Sequence, residues 1–83
     1  MRYVFVPRSL TQLQKLPKDI QRRIIGKLDF FCAQDDPLEF AESLTHRDIG
    51  EYRFRVGDYR IVVDAEQDTL IVLLVGNRKE IYR

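Results

Sequence analysis

The stretch EYRFRVGDYRIVV, residues 51–63, decides how this chain is read. Two runs of β-branched and aromatic residues flank Gly57 and Asp58, a pair suited to a two-residue hairpin turn. With that turn Val56 faces Tyr59, Arg55 faces Arg60, Phe54 faces Ile61 and Arg53 faces Val62. Side chains alternate along a strand, so the hairpin sorts by side. One face collects Tyr52, Phe54, Val56, Tyr59, Ile61 and Val63, an apolar surface that helices must cover. The other collects Arg53, Arg55 and Arg60. Like charges set opposite each other destabilise a strand pair, so the arginine face carries a cost that something must offset.

Working outward, AEQD at 65–68 reads as a second turn that returns the chain into TLIVLLV, residues 69–75. In the simplest register Leu70, Val72 and Leu74 extend the apolar face, while Ile71, Leu73 and Val75 extend the arginine face. A face both basic and apolar looks built to receive something. The tail GNRKEIYR, residues 76–83, leaves the strand at Gly76 and carries Arg78, Lys79, Tyr82 and Arg83 to the rim of that face.

Upstream, RYVFV at 2–6 reads as a first strand stopped by Pro7. Ser9 and Gln12 have capping-box spacing, and Leu10, Leu13 and Leu16 follow at helical spacing. Pro17 ends that helix and suits the first turn of the next, whose stripe is Ile20, Ile24, Leu28 and Phe31. Gly26 inside the second helix costs about 1 kcal/mol relative to alanine. A close helix–sheet contact would be one reason for it. Residues 34–51, with Asp35, Asp36 and Pro37, read as a linking loop with a helical turn near Leu38 to Leu44. The expected architecture is α+β: an N-terminal strand, a helical hairpin and a three-stranded antiparallel meander in one small twisted sheet, with the helices on one face.

Eighty-three residues hold one domain, spanning 1–83, with one modest core. The net charge of +1 gives no bulk attraction to nucleic acid, so any basic footprint comes from arrangement. One cysteine, Cys32, forms no internal disulfide, and one cysteine with one histidine makes no ordinary zinc site. No metal and no cofactor are expected. No stretch has the length of a membrane span or the form of a signal peptide, so a cytoplasmic protein is expected.

The chemistry concentrates in Arg53, Arg55, Arg60, Arg78 and Tyr82. Guanidinium groups present planar donors that match phosphate oxygens, and a phenol ring stacks on a splayed base; both suit single-stranded RNA. The plain alternative is a solvated face salted by Glu51, Asp58 and Asp64, and the pattern alone does not choose between them. His46, the sole histidine, is the acid–base candidate and sits in the loop-like LTHRDIG.

YRFRVGDYRIVV, the aliphatic strand after it and VGNRKEIYR resemble the C-terminal half of the RelE/ParE toxin superfamily. LTQLQKLPKDIQRRIIGKL is similar to its N-terminal helical hairpin, so the resemblance covers nearly the whole chain. It implies two helices packed on one side of a small sheet and a concave basic site on the other. It implies further a RelE-like toxin of a type II toxin–antitoxin system that cuts messenger RNA in the ribosomal A site without a metal and is neutralised by a cognate antitoxin. By the same resemblance Arg60 and Arg78 hold the scissile phosphate, and Tyr82 stacks on the substrate or assists proton transfer. Arg53 and Arg55 form a basic pair that binds RNA, with Lys79 and Arg83 beside it. No small-molecule ligand is implied. Two other readings stay open: a ParE-like inhibitor of DNA gyrase that cuts nothing, and a weakened homologue that only binds antitoxin.

Overall fold

The computed structural model describes residues 1–45 and 49–81. Strand β1 (Arg2–Phe5) leads into helices α1 (Pro7–Gln14) and α2 (Lys18–Cys32). A 3-10 turn (Pro37–Phe40) and a short strand β2 (Glu42–Ser43) follow. Strands β3 (Tyr52–Val56), β4 (Tyr59–Glu66) and β5 (Thr69–Asn77) and a last helical turn, α3 (Arg78–Ile81), complete the order. The strands form one sheet in the order β1-β5-β4-β3-β2, with β1 parallel to β5 and the other pairs antiparallel. The expected α+β arrangement is the one observed, with β2 as an added edge strand.

The hairpin register is the one the turn dictates. Val56 pairs with Tyr59, Arg55 with Arg60, Phe54 with Ile61 and Arg53 with Val62. Gly57 has φ of 60° at the first central position, which suits a turn whose twist matches that of the strands. Phe54, Val56, Ile61 and Val63 are buried beneath Leu13 of α1 and Ile24, Leu28 and Phe31 of α2. Phe31 stacks on Phe54 with ring centroids 4.6 Å apart, and Phe40 stacks on Phe31 from outside, tying the 3-10 turn to the core.

The simplest register fails in the β4–β5 pair. Val62 pairs with Leu74 but Val63 with Val72, so Leu73 is an extra, bulged residue. Val75 therefore opposes Ile61 and is buried in the core, while Leu74 sits opposite Val62 on the arginine side. Leu74 and Val75 thus exchange the faces that strict alternation assigns them.

Helix α1 starts at Pro7 with Val6 as its N-cap, two residues before the expected start. Ser9 and Gln12 consequently form no capping box. Instead they seal the edge of β5 beyond the end of β1. The fully buried Ser9 hydroxyl lies 2.6 Å from the Val72 carbonyl, and Gln12 Oε1 accepts the Val75 N–H at 2.8 Å. An edge strand left with open N–H and C=O groups invites foreign pairing, and this helix covers them with side chains.

Two glycines behave in opposite ways. Gly26 faces open space, so the close helix–sheet contact proposed for it is absent. Gly50 has φ of 154°, and a Cβ there would lie 2.5 Å from Val62 Cγ1 and 3.1 Å from Leu73 Cδ1. The backbone at Gly50 is thereby laid directly on the outer face of the sheet, which is why Val62 is fully buried outside the helix-covered core.

Tyr3 of β1 donates to Asp29 Oδ1 of α2 at 2.6 Å, strapping the first strand to the long helix. Burial first, then the hydrogen bond and charge of Asp29, push the phenol up from 10.0 to about 12. The folded state therefore holds this proton more tightly than the unfolded chain. The corresponding stability is fully present below pH 10 and is lost as pH rises through about 12. An absorbance titration of the four tyrosines should resolve one that ionises near pH 12, and Tyr3→Phe should remove that step. Gly26→Ala should raise stability by up to about 1 kcal/mol in denaturant unfolding. Gly50→Ala should lower it by about 2 kcal/mol or more, through backbone strain and overpacking on Val62.

Candidate functional site

Toward the β3–β4 turn, the face of the sheet away from α1 and α2 carries two adjacent rows of side chains. One runs from Arg55 on β3 to Arg60 on β4 and Gly76 on β5; the next runs from Glu42 on β2 through Arg53 and Val62 to Leu74. Alternation along β3 and pairing with β4 put the three arginines together, as the hairpin arithmetic expects. Arg78 follows β5 as the first residue of α3, and its N–H donates to the Asp58 carbonyl at 2.8 Å. That bond ties the chain after β5 back to the hairpin tip.

Arg60 differs from its neighbours in burial. An outward position on a hairpin suggests a solvated side chain, yet Arg60 is only 7% exposed, whereas Arg55 projects with 66% of its side chain exposed. Its Nη1 donates to the Gly57 and Tyr59 carbonyls at 2.9 and 3.0 Å, so the guanidinium curls over the turn and braces it. The Nε and Nη2 donors make no hydrogen bond among the described residues. Burial pushes the Arg60 guanidinium below its ordinary value, and the charges of Arg55, Arg53 and Arg78 push it further. Glu42 opposes them. Four guanidinium groups thus share one field, which an anion would relieve.

Glu42 is a carboxylate that reaches this cluster. Its Oε2 accepts from Arg53 Nη2 at 2.6 Å, and its Oε1 lies 3.9 Å from Arg55 Nη2. The hydrogen bond and charge of Arg53, with smaller contributions from Arg55 and Arg60, hold the Glu42 carboxyl below the usual range. Sequence reasoning missed this residue because its segment reads as loop; opposite Arg53 in the register, it becomes part of the site. Arg23 of α2 also reaches this end of the hairpin. Its guanidinium lies against the Gly57 turn, where an added Cβ would meet Nη1 at 3.0 Å, adding a further cation at the hairpin tip.

Lys79 is exposed in α3, where its N–H donates to Asn77 Oδ1 at 3.0 Å. His46, Tyr82 and Arg83 lie outside the described residues. Among the described residues no three His, Cys, Asp or Glu side chains converge as metal ligands would. Among the described residues no helix is long and apolar enough to cross a membrane. A groove of about 370 Å³ runs between α1, the end of β5 and α3, lined by Arg8, Gln12, Lys15, Leu74 and Ile81 among others. It shares no residue with the arginine cluster, and its mixed lining holds no comparable concentration of charge.

The model for the ParE toxin of type II toxin-antitoxin systems, parDE, matches residues 3–82, and the chain belongs to this family, within the RelE/ParE superfamily. Solved structures agree. The chain is similar to one in the toxin-antitoxin complex RelBE2 from Mycobacterium tuberculosis, with 25% identity, a TM-score of 0.76 and coverage of 93% of this chain and 96% of that one. A chain of the RelB-RelE antitoxin-toxin complex from Methanococcus jannaschii gives 26% identity, a TM-score of 0.74 and coverage of 95% and 94%. The RelE-RelB complex from Pyrococcus horikoshii OT3 gives 26%, 0.68 and 93% of each chain. No curated protein sequence matches the chain significantly.

Because Arg60 braces the turn, Arg60→Ala should destabilise the fold by about 1 to 2 kcal/mol, the loss of charge-assisted bonds to two carbonyls less the relieved repulsion with Arg55. Arg55→Ala should leave the melting temperature within a degree or two of wild type. Thermal unfolding of the two variants side by side checks the contrast.

Proposed function

We propose that this toxin is a ribosome-dependent endoribonuclease, an mRNA interferase that cuts messenger RNA in the A site and is neutralised by a cognate antitoxin. The observation that carries the reading is the convergence of Arg53, Arg55 and Arg60 on one rigid face, with Arg78 close enough to depress Arg60 further. That much like charge is a poor solution for folding and a good one for a phosphodiester. The antitoxin partner is supported by the similar structures, all of them complexes of the RelB and RelE kind.

In the proposed reaction the ribose 2′-oxygen attacks the adjacent phosphorus and the bond to the 5′-oxygen breaks. The products are a 2′,3′-cyclic phosphate and a free 5′-hydroxyl. Arg60 and Arg78 stabilise the charge that builds on the phosphoryl oxygens, while Arg53, Arg55, Lys79 and Arg83 hold the flanking backbone. Guanidinium groups stay protonated and accept no proton, so proton transfer falls to Tyr82, His46 or the ribosome. Most of the acceleration would come from in-line positioning and preorganised charge, with the ribosome presenting the message in the cytoplasm. No metal, cofactor or small-molecule ligand takes part in this scheme.

The family model is named for ParE, and the resemblance read from the sequence keeps a second reading open, a ParE-like inhibitor of DNA gyrase that cuts nothing. Induced expression followed by primer extension separates the two. The ribonuclease reading expects translation arrest with messages cut at codon-aligned positions. Intact messages with gyrase-dependent DNA damage would establish the other. On programmed ribosomes, Arg78→Ala should lower the single-turnover rate by about 10² to 10³ with little change in melting temperature, the usual consequence of losing one preorganised donor.

A further inference from the structure

Glu42 stands where an anionic ligand would stand. Its two carboxylate oxygens divide between two guanidinium groups, Oε2 at 2.6 Å from Arg53 and Oε1 at 3.9 Å from Arg55. The non-bridging oxygens of a phosphodiester would take the same arrangement between neighbouring arginines. The two partners differ in how firmly they are held. The Arg53 side chain is 17% exposed on a paired strand, whereas that of Glu42 is 53% exposed on an edge strand of two residues. The carboxylate can swing away more readily than the guanidinium it contacts.

We propose that Glu42 is a displaceable internal occupant of the phosphate site, which a nucleic-acid phosphate must expel from Arg53 and Arg55 before it binds. The identity of the ligand rests on the ribonuclease reading above; the competition itself does not. The consequence is a threshold for ligand choice. A lone phosphate group gains little by replacing one anion with another. A polynucleotide places further phosphates on Arg60 and Arg78 while it displaces Glu42, so linear polyanions are favoured over mononucleotides. The same contact also limits repulsion among the arginines in the unliganded protein, since Glu42 is a charge that opposes them at Arg60.

The test is calorimetric titration of inorganic pyrophosphate into the wild type, Glu42→Gln and Glu66→Gln. The last makes the same change in net charge at the exposed far end of β4. Glu42→Gln should bind pyrophosphate roughly threefold to tenfold more tightly than either other protein, the scale of one or two exposed ion pairs. Equal affinity in the two variants, weaker binding by Glu42→Gln, or no binding by any of the three would overturn the proposal. Melting curves identify a misfolded Glu42→Gln, in which case Glu42→Ala is read in its place. Ribosomal cleavage is scored separately. Tighter pyrophosphate binding without RNA cleavage removes the ribonuclease reading and leaves the competition intact. Cleavage by the wild type with no gain in Glu42→Gln removes the competition alone.

Discussion

Arg55 and Arg60 face each other directly across the β3–β4 pair, and the rest of the structure depends on tolerating that apposition. The constraint comes from the opposite side of the hairpin. Phe54, Val56, Ile61 and Val63 are essentially inaccessible to solvent, and burying each such side chain contributes about 1.5 to 3 kcal/mol. Like charges opposite one another cost at most about 1 kcal/mol per pair. Core burial therefore fixes the register. A slip by one residue would turn the arginines into the core and the apolar set into water. The basic face follows from how the core is made, provided arginine occupies the outward positions, and that choice of residue is what calls for a functional explanation.

The surrounding elements make the face stiff. Gly50 lays its backbone on Val62 and Leu73, so this part of the outer face is covered without a helix. Helix α1 closes the β5 edge through Ser9 and Gln12. The Arg78 N–H ties α3 to the hairpin tip, and Arg60 braces the tip from within. Donors held in this way need little reorganisation when charge develops beside them, which is the property that electrostatic catalysis requires. Arg60 thus links folding to the proposed chemistry, since one of its guanidinium nitrogens serves the turn.

The hairpin was legible in the sequence because Gly57-Asp58 and strict alternation act within thirteen residues, and the stripe of α2 was legible because its period runs unbroken from Ile20 to Phe31. What escaped depended on contacts distant in sequence. The bulge at Leu73 shows only in the pairing of β5 with β4 and leaves no mark on TLIVLLV, so Leu74 and Val75 were assigned to each other's faces. Ser9 and Gln12 have the right spacing for a cap, yet their partners are on β5, 63 residues away. Glu42 lies in a segment whose Asp35, Asp36 and Pro37 read as loop, and only pairing with Arg53 brings it into the site. The arginines themselves were placed correctly on one face, but the burial of Arg60 was not foreseen, because alternation gives direction and not depth.

In the proposed function this face binds the backbone of single-stranded RNA through several guanidinium groups at once. Its most direct test is the salt dependence of binding to an oligoribonucleotide made uncleavable by 2′-O-methylation. Contacts from three or four arginines predict that log K falls with log salt at a slope of roughly −2 to −3, and that removing Arg55 or Arg78 makes the slope shallower by about 0.7 each. A slope near zero, or one unchanged by both substitutions, would contradict the account.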